Sequence, residues 1–294
     1  MKITIDDYFD LDKIIESGQT FRARKLDENL YRFISLDKIL YISKIPDNAT
    51  SDMVSSDIKD ADSSNNSCRN ATSASYEVSC DSNEWEGYWH NYFDLDRSYK
   101  DIPIYDDFTG KCYEVSKGIR ILRQEPFEML ISFIISQRKS IPAIRTSIEE
   151  ICIRFGTCKC TKKDEKLYLF PTPEQFLIDN DRLSECKLGY RLPYVQDAIN
   201  KVNNEPSFLD EGFKMSDEDL LNHLITIKGV GVKVANCVAL FAYNRVGLAP
   251  IDTWINKIID THYNGLSPFK KYGDVAGIIQ QYMFFYALTH KDEF

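Results

Sequence analysis

Along the first 45 residues, apolar and polar positions alternate in the way that predicts β-strands. Two such runs, residues 30–34 and 39–42, flank the segment Ser35–Lys38, which predicts a hairpin connection. Residues 47–83 are rich in Ser, Asn and Asp and contain few large apolar residues, which predicts a polar surface insertion outside the core. We therefore expect an N-terminal antiparallel sheet domain that this insertion interrupts.

From residue 85 onward, the apolar positions follow the spacing of helices instead. Pro126 suits the first turn of one helix, and a further helix follows Pro142 and stops at Gly156. Ser216 is placed to cap another helix. The expected fold class is α+β, with the sheet domain followed by an all-helical body. We place the domains at 1–115, 116–222 and 223–294.

The composition is that of a soluble globular protein, since 43% of the residues are hydrophobic and no apolar run reaches the length of a membrane span. The first ten residues contain three Asp and no apolar core, so they do not resemble a secretory signal. We expect a bacterial cytoplasmic protein that does not associate with membranes. Of the eight cysteines, Cys158 and Cys160 form the one close pair, which is too few ligands for a structural metal site. No metal or other cofactor is therefore expected.

The formal net charge of −9 argues against a nucleic-acid partner, because duplex binding depends on neutralising phosphates. The charge is unevenly distributed, however. Residues 51–84 contain seven acidic residues against Lys59 and Arg69. A basic face can exist on the remainder, so charge weakens the DNA hypothesis without excluding it.

The segment Gly229-Val230-Gly231 connects two apolar helical runs and predicts a tight turn between helices. A helix that begins directly after such a turn presents unpaired amide groups and a positive dipole end, which favour a phosphate. Lys228 adds a positive charge at the same tip. The pattern indicates a helix–hairpin–helix DNA-binding motif, although an ordinary α-hairpin would also accommodate the two glycines.

Lys233 lies within the first turn of the second helix, and Asp252 follows after a short apolar passage. An unprotonated lysine amine can attack the sugar C1′ and form a Schiff base, while a carboxylate can stabilise positive charge on the sugar. Taken singly, the lysine could be solvated or bind phosphate, and the aspartate could be a plain helix cap. Together, behind the glycine turn, they favour catalysis in the pattern of the helix–hairpin–helix glycosylase superfamily.

Several further segments resemble the 8-oxoguanine DNA glycosylases of the eukaryotic type, and the resemblance covers nearly the whole chain outside 47–83. The matching segments are Ser17–Arg22, Tyr92–Asp96, Gly118–Pro126, Ile131–Ile134, Gly189–Arg191, and Gln280 with Phe284. The resemblance implies a monomeric, bifunctional glycosylase and AP lyase that acts on double-stranded DNA containing 8-oxoguanine. It also implies a TATA-binding-protein-like N-terminal domain and a helix–hairpin–helix glycosylase body.

The resemblance further assigns residues to roles. The catalytic pair would be Lys233 and Asp252, and the base pocket would contain Gly18, Phe21, Cys237, Gln280 and Phe284. DNA contacts would come from Arg138, Tyr190, Arg191, Lys228, Gly229, Val230 and Gly231.

Within the pocket, the Gly18 carbonyl would accept from the N7–H of 8-oxoguanine, a donor that guanine lacks. Gln280 would bind the Watson–Crick edge, and Phe284 would stack on the base. Cys237 would cover the other face, either as a thiol or as a thiolate paired with the Lys233 ammonium. Taken alone, Phe284 could be a core residue and Gly18 a simple turn.

In the DNA interface, Tyr190 would wedge into the duplex beside the opposite base, and Arg191 would contact that base.

The chain departs from the family pattern at several positions. Lys228 stands where proline is frequent, Trp254 where histidine is common, and Arg138-Lys139-Ser140 where three asparagines are familiar. Ala143 aligns with the arginine that usually reads the opposite cytosine, so we expect a weaker cytosine preference.

Two other functions stay open at this point. A glycosylase for alkylated bases would keep the aspartate but usually lacks the lysine. A catalytically silent DNA-binding module would need neither residue.

Overall fold

The computed structural model describes residues 1–46, 73–161 and 165–294. Its N-terminal domain is built on five strands: β1 (Lys2–Ile5), β2 (Arg24–Asp27), β3 (Leu30–Ser35), β4 (Lys38–Lys44) and β5 (Ala74–Val78). They form one antiparallel sheet in the order β1-β5-β4-β3-β2. The predicted hairpin is present, because β3 and β4 pair from Leu30–Ser43 to Ser35–Lys38.

The prediction of a polar surface insertion is wrong for its C-terminal part, because β5 lies inside the sheet between β1 and β4. Tyr76 and Val78 are 1% and 2% exposed and pack in the core of this domain. The strand has only two large side chains, which alternate with polar ones, and it is surrounded by Ser and Asp residues. Its apolar pattern is therefore too short to predict a strand. Residues 47–72 of the predicted insertion lie outside the described residues.

A short helix also interrupts the region that was expected to form strands. The helix α1 (Leu11–Glu16) buries Leu11, Ile14 and Ile15 and is capped by the carboxylate of Asp10. Its apolar residues have the i, i+3, i+4 spacing of a helix, which outweighs the alternation elsewhere in the segment.

The remaining helices follow the predicted pattern from residue 82 to the C-terminus. They are α2 (Ser82–Glu84), α3 (His90–Tyr92), α4 (Asp107–Ser116), α5 (Pro126–Ser136), α6 (Ile141–Phe155), α7 (Leu192–Asn204), α8 (Phe208–Glu211), α9 (Asp217–Ile225), α10 (Val232–Phe241), α11 (Thr253–Tyr263) and α12 (Ala276–Thr289). A π-helical segment, Trp85–Trp89, joins α2 to α3. The predicted start at Pro126, stop at Gly156 and cap at Ser216 are confirmed.

The body is mostly helical, as expected, and it also contains a small antiparallel hairpin of β6 (Cys158–Cys160) and β7 (Lys166–Tyr168). The expected domain boundaries at 115/116 and 222/223 both fall inside helices, α4 and α9. Since the Ser116 hydroxyl donates to the Tyr282 carbonyl of α12 at 3.1 Å, α4 belongs with the helical body.

The segment 17–19 crosses the junction between the two domains and is held from both sides. Gln19 donates to the Arg120 carbonyl at 2.9 Å and accepts from the Leu122 amide at 2.8 Å. On the other side, Gln281 of α12 donates to the Ser17 carbonyl at 2.5 Å. All three hydrogen bonds are buried, so the backbone of Gly18 is fixed in one place.

Candidate active site

The turn between α9 and α10 has the conformation that its sequence predicts. Gly229 has a φ of +83°, and a Cβ there would lie 2.3 Å from the ring of Tyr194. A side chain at this position is therefore excluded by both conformation and space. The side chain of Gln137 donates to the Gly229 carbonyl at 3.1 Å, so α5 supports the turn.

The start of α10 offers a group of amides to an external partner. The first hydrogen bond of the helix runs from the Ala235 amide to the Gly231 carbonyl at 3.0 Å, which leaves the preceding amides without helical partners. Gly231, Val232 and Lys228 are exposed around them. The start of α10 can therefore bind an anion through these amides. The Lys228 amide is not among them, because it donates to the Asp197 carboxylate at 2.8 Å.

Lys233 and Cys237 lie one turn apart on α10 and face the same cavity. The Lys233 ammonium nitrogen is 5.5 Å from the ring centroid of Phe133. Burial raises the pKa of the Cys237 thiol, although the neighbouring Lys233 charge opposes this shift. Burial therefore favours the neutral thiol, while the nearby Lys233 charge favours the thiolate.

Asp252 caps α11, as expected, with its Oδ1 accepting from the Ile255 amide at 2.9 Å. Burial raises the pKa of Asp252, and the hydrogen bond from Ile255 and the charge of Lys233 act against that rise. The carboxylate is thus partly desolvated and under the electrostatic influence of the lysine. Such a carboxylate interacts more strongly with positive charge than one in water.

A cavity of about 370 Å³ brings together the seven residues expected to act on the base and the sugar. They are Gly18, Phe21, Lys233, Cys237, Asp252, Gln280 and Phe284. Gln280 is 4% exposed, and its Oε1 has no hydrogen-bond partner among the described residues. A buried acceptor without a partner in the protein is available to a hydrogen-bond donor that enters the cavity.

Other lining residues carried no signal that sequence reasoning could use. Phe133 of α5 and Ile141 and Pro142 of α6 line the cavity as ordinary apolar residues of helices. Trp254 was noted as a departure, and Lys291 near the C-terminus was not singled out, yet both line the cavity. Only the packing of α5, α6, α11 and the C-terminal turn shows that they meet there.

The residues expected near the opposite strand differ in exposure: two are exposed and one is buried. Arg138 is exposed in a left-handed conformation, with a φ of +49°. Tyr190 is 53% exposed and donates to the Gln137 carbonyl at 3.2 Å. Arg191, by contrast, is 7% exposed and donates to the carbonyls of Gln137 and Leu188. The contact of Arg191 with the opposite base stays a prediction, and without DNA its guanidinium donates to carbonyls of the protein.

Among the residues that the structure describes, no group of three His, Cys, Asp or Glu side chains is arranged to hold a metal ion. Within the same residues, no helix is both long enough and apolar enough to cross a bilayer.

Residues 2–130 match the family model for the 8-oxoguanine DNA glycosylase N-terminal domain. The N-glycosylase/DNA lyase of Saccharomyces cerevisiae is 34% identical over 162 residues, which cover 50% of this chain and 42% of that protein. The chain thus matches less than half the length of this curated relative.

Two solved structures match nearly the whole chain. MBOgg1 in complex with a low-affinity DNA ligand is 28% identical, with a TM-score of 0.83 over 99% of this chain and 96% of that one. The Clostridium acetobutylicum 8-oxoguanine glycosylase/lyase, in complex with double-stranded DNA containing cytosine opposite 8-oxoG, is 27% identical. Its TM-score is 0.82, and the match covers 99% of this chain and 98% of that one. These matches confirm the predicted order of a sheet domain followed by a mostly helical body.

Proposed function

We propose that this chain is a member of the 8-oxoguanine DNA glycosylases of the eukaryotic type and a bifunctional glycosylase and AP lyase that excises 8-oxoguanine from duplex DNA. The observation that carries this proposal is the single cavity in which Lys233 and Asp252 face Gly18, Gln280 and Phe284. The first two residues supply chemistry at a sugar, and the other three supply recognition of a base.

In the proposed reaction, the unprotonated Lys233 amine attacks C1′ of the flipped nucleotide. The bond between Lys233 Nζ and C1′ forms as the bond from C1′ to the base breaks, and the base leaves with the bonding electron pair. Asp252 stabilises the positive charge that develops on the sugar. After the sugar ring opens, the lysine is held as a Schiff base, and loss of a C2′ proton expels the 3′ phosphate by β-elimination.

Base recognition would combine one backbone group with three side chains. The Gly18 carbonyl accepts from N7–H of 8-oxoguanine, whereas the N7 lone pair of guanine repels the same carbonyl. Gln280 meets the Watson–Crick edge, and its unpartnered Oε1 supports this role. Phe284 and the side chain of Cys237 cover the two faces of the base.

The DNA grip would use the tip of the hairpin. The free amides at the start of α10 and the exposed Lys228 would bind backbone phosphate, which gives affinity without reading sequence. Arg138 and Tyr190 would lie beside the strand that pairs with the lesion. Their exposure supports this placement, while Arg191, which donates to the Gln137 carbonyl, would hold the backbone beside them.

The proposal is tested by borohydride trapping on a duplex with one 8-oxoguanine opposite cytosine. The native chain should give a covalent protein–DNA band, and Lys233→Gln should give none, because a glutamine amide cannot form a Schiff base. A matched control is Lys228→Gln, which keeps the nucleophile and should weaken binding while retaining the band.

Base release without any band would show a water-driven glycosylase centred on Asp252 and would refute the lyase part. Binding without release or trapping would refute catalysis and leave a DNA-binding module.

A further inference from the structure

A second cavity, of about 430 Å³, lies between the sheet domain and the helical body. Its lining comes from the β3–β4 turn, the start of α5 and the segment 157–175. Leu36, Phe127, Phe170 and Pro171 form apolar walls. No residue lines both this cavity and the one that contains Lys233, so the two sites are separate.

The polar feature of this cavity is the carboxylate of Glu128. Its residue is 7% exposed, and among the described residues no side chain reaches it within ion-pair or hydrogen-bond distance. The nearby Arg22 has its Nε 3.8 Å from Glu149 and donates to the Tyr168 carbonyl, and its Nε and Nη1 have no hydrogen-bond partner among the described residues. Among the described residues, Glu128 is thus a buried carboxyl group with no ion pair within 4 Å, although the charge of Arg22 acts on it from further away.

Such a group is costly, because burial removes water from the charge without replacing it by a partner. Burial raises the pKa of Glu128 to about 7; the charge of Arg22 acts against this rise, and the charges of Glu125 and Glu149 add to it. Asp37 also lines the cavity and adds negative charge. The cavity therefore combines an apolar, partly aromatic wall with an acidic floor.

We propose that this cavity binds a small organic ammonium ion whose charged nitrogen pairs with Glu128 and whose apolar body packs between Leu36 and Phe170. An ammonium group brings up to three donors and the counter-charge that Glu128 lacks. The apolar body displaces water from the walls. The volume of about 430 Å³ suits a ligand with one ring. The inference does not depend on the proposed excision of 8-oxoguanine.

The test is a calorimetric titration of the full chain, without DNA, at pH 8 with benzylamine, and with benzyl alcohol as its neutral counterpart. Benzylamine should bind saturably, and benzyl alcohol at least about tenfold more weakly, because only the ammonium makes a charge-assisted hydrogen bond. Glu128→Gln should weaken benzylamine binding by at least about tenfold for the same reason. Glu174→Gln, an exposed neighbour outside the cavity lining, should leave it unchanged.

A second variant keeps the test independent of Glu128's effect on folding. Leu36 is 49% exposed, so Leu36→Ala should fold normally and weaken benzylamine binding several-fold through lost apolar contact. Binding should also tighten between pH 6 and pH 8 as Glu128 ionises. Arg22, Glu125, Glu149, Tyr88, Tyr92 and Cys152 are the other titratable groups that interact with it.

Three outcomes would overturn the proposal: no saturable binding of benzylamine, equal binding of benzyl alcohol, or binding that is unaffected by both Glu128→Gln and Leu36→Ala. A parallel titration of Asp252→Asn separates the two cavities. Binding lost in that variant but kept in Glu128→Gln would place the amine in the other cavity and also refute the proposal.

Discussion

The backbone of Gly18 lies directly against the ring of Phe284, so that a Cβ at Gly18 would come within 2.9 Å of Phe284 Cε1. Gly18 also has a φ of +75°, a conformation that other residues rarely adopt. The contact joins the loop of the sheet domain to α12 of the body at the floor of the Lys233 cavity.

Gly18→Ala should therefore impair excision more than folding. The new methyl group displaces Phe284 and strains a backbone that buried hydrogen bonds hold in place, at a cost of roughly 1–2 kcal/mol. We expect kcat/KM for excision of 8-oxoguanine to fall by about tenfold or more, since misplaced binding groups cost that much. Gly87→Ala, where a Cβ meets nothing within 4 Å, is the control. Equal losses in both variants would contradict the role of Gly18.

Substitution of the two adjacent glutamines on α12 should have different effects on stability. Gln280 Oε1 has no partner among the described residues, so Gln280→Leu should leave the free energy of unfolding unchanged or raise it slightly while excision falls steeply. Gln281 donates to the Ser17 carbonyl at 2.5 Å, and Gln281→Leu should lower the free energy of unfolding by about 1–3 kcal/mol. Chemical denaturation measures the stability of each variant, and single-turnover kinetics measure its excision activity. A large loss of stability in Gln280→Leu would show that its oxygen has a partner in solution.

Asp252→Asn should raise stability near neutral pH while abolishing most activity. The pKa of Asp252 is raised in the folded protein by burial, so the folded state binds the proton more tightly than the unfolded state. The contribution of this group to stability is then greatest at low pH and declines as pH rises from 3.8 through the raised folded pKa. Asparagine caps a helix equally well and carries no charge.

The measurement for Asp252→Asn is thermal unfolding across pH 4 to 8. The gain in Tm over the native chain should grow with pH, while excision falls by about 100-fold or more through loss of electrostatic stabilisation. A variant that is less stable at pH 8 than the native chain would contradict the sign of the shift.

Substitution of Arg191 should mainly lower stability, whereas substitution of Arg138 should mainly weaken DNA binding. Arg191→Ala removes the guanidinium donors from the carbonyls of Gln137 and Leu188, which keep only the Tyr190 hydroxyl and the backbone amide of residue 191, and should lower the free energy of unfolding by about 1–3 kcal/mol. Arg138→Ala should change stability little and weaken duplex binding, with a smaller salt dependence than the native chain. A normal Tm in Arg191→Ala, together with a changed preference for the opposite base, would show that Arg191 contacts that base.

The choice of opposite base should be relaxed. Ala143 offers no donor where the family usually has an arginine, and the donors of Arg191 are engaged within the protein. Single-turnover excision of 8-oxoguanine opposite each of the four bases should therefore differ by less than about tenfold, the worth of roughly one hydrogen bond. A strong preference for cytosine would contradict this and direct attention to Arg138.

The sequence by itself determined the features that depend on local chemistry. The glycine turn before α10, the cap at Asp252 and the helix start at Pro126 follow from backbone preferences that act within a few residues. The hairpin of β3 and β4 follows in the same way from alternation. By contrast, β5 was missed because its apolar signal is short and surrounded by polar residues.

Only the tertiary structure decided which groups are buried and what they face. Within the described residues, packing showed that Gln280 Oε1 lacks a hydrogen-bond partner, that Arg191 donates to buried carbonyls and that burial raises the pKa of the Cys237 thiol. It also placed the buried Glu128 at the wall of a second cavity. The reason is physical: hydrogen-bond satisfaction and desolvation depend on distant segments brought together by folding, and no local pattern encodes them.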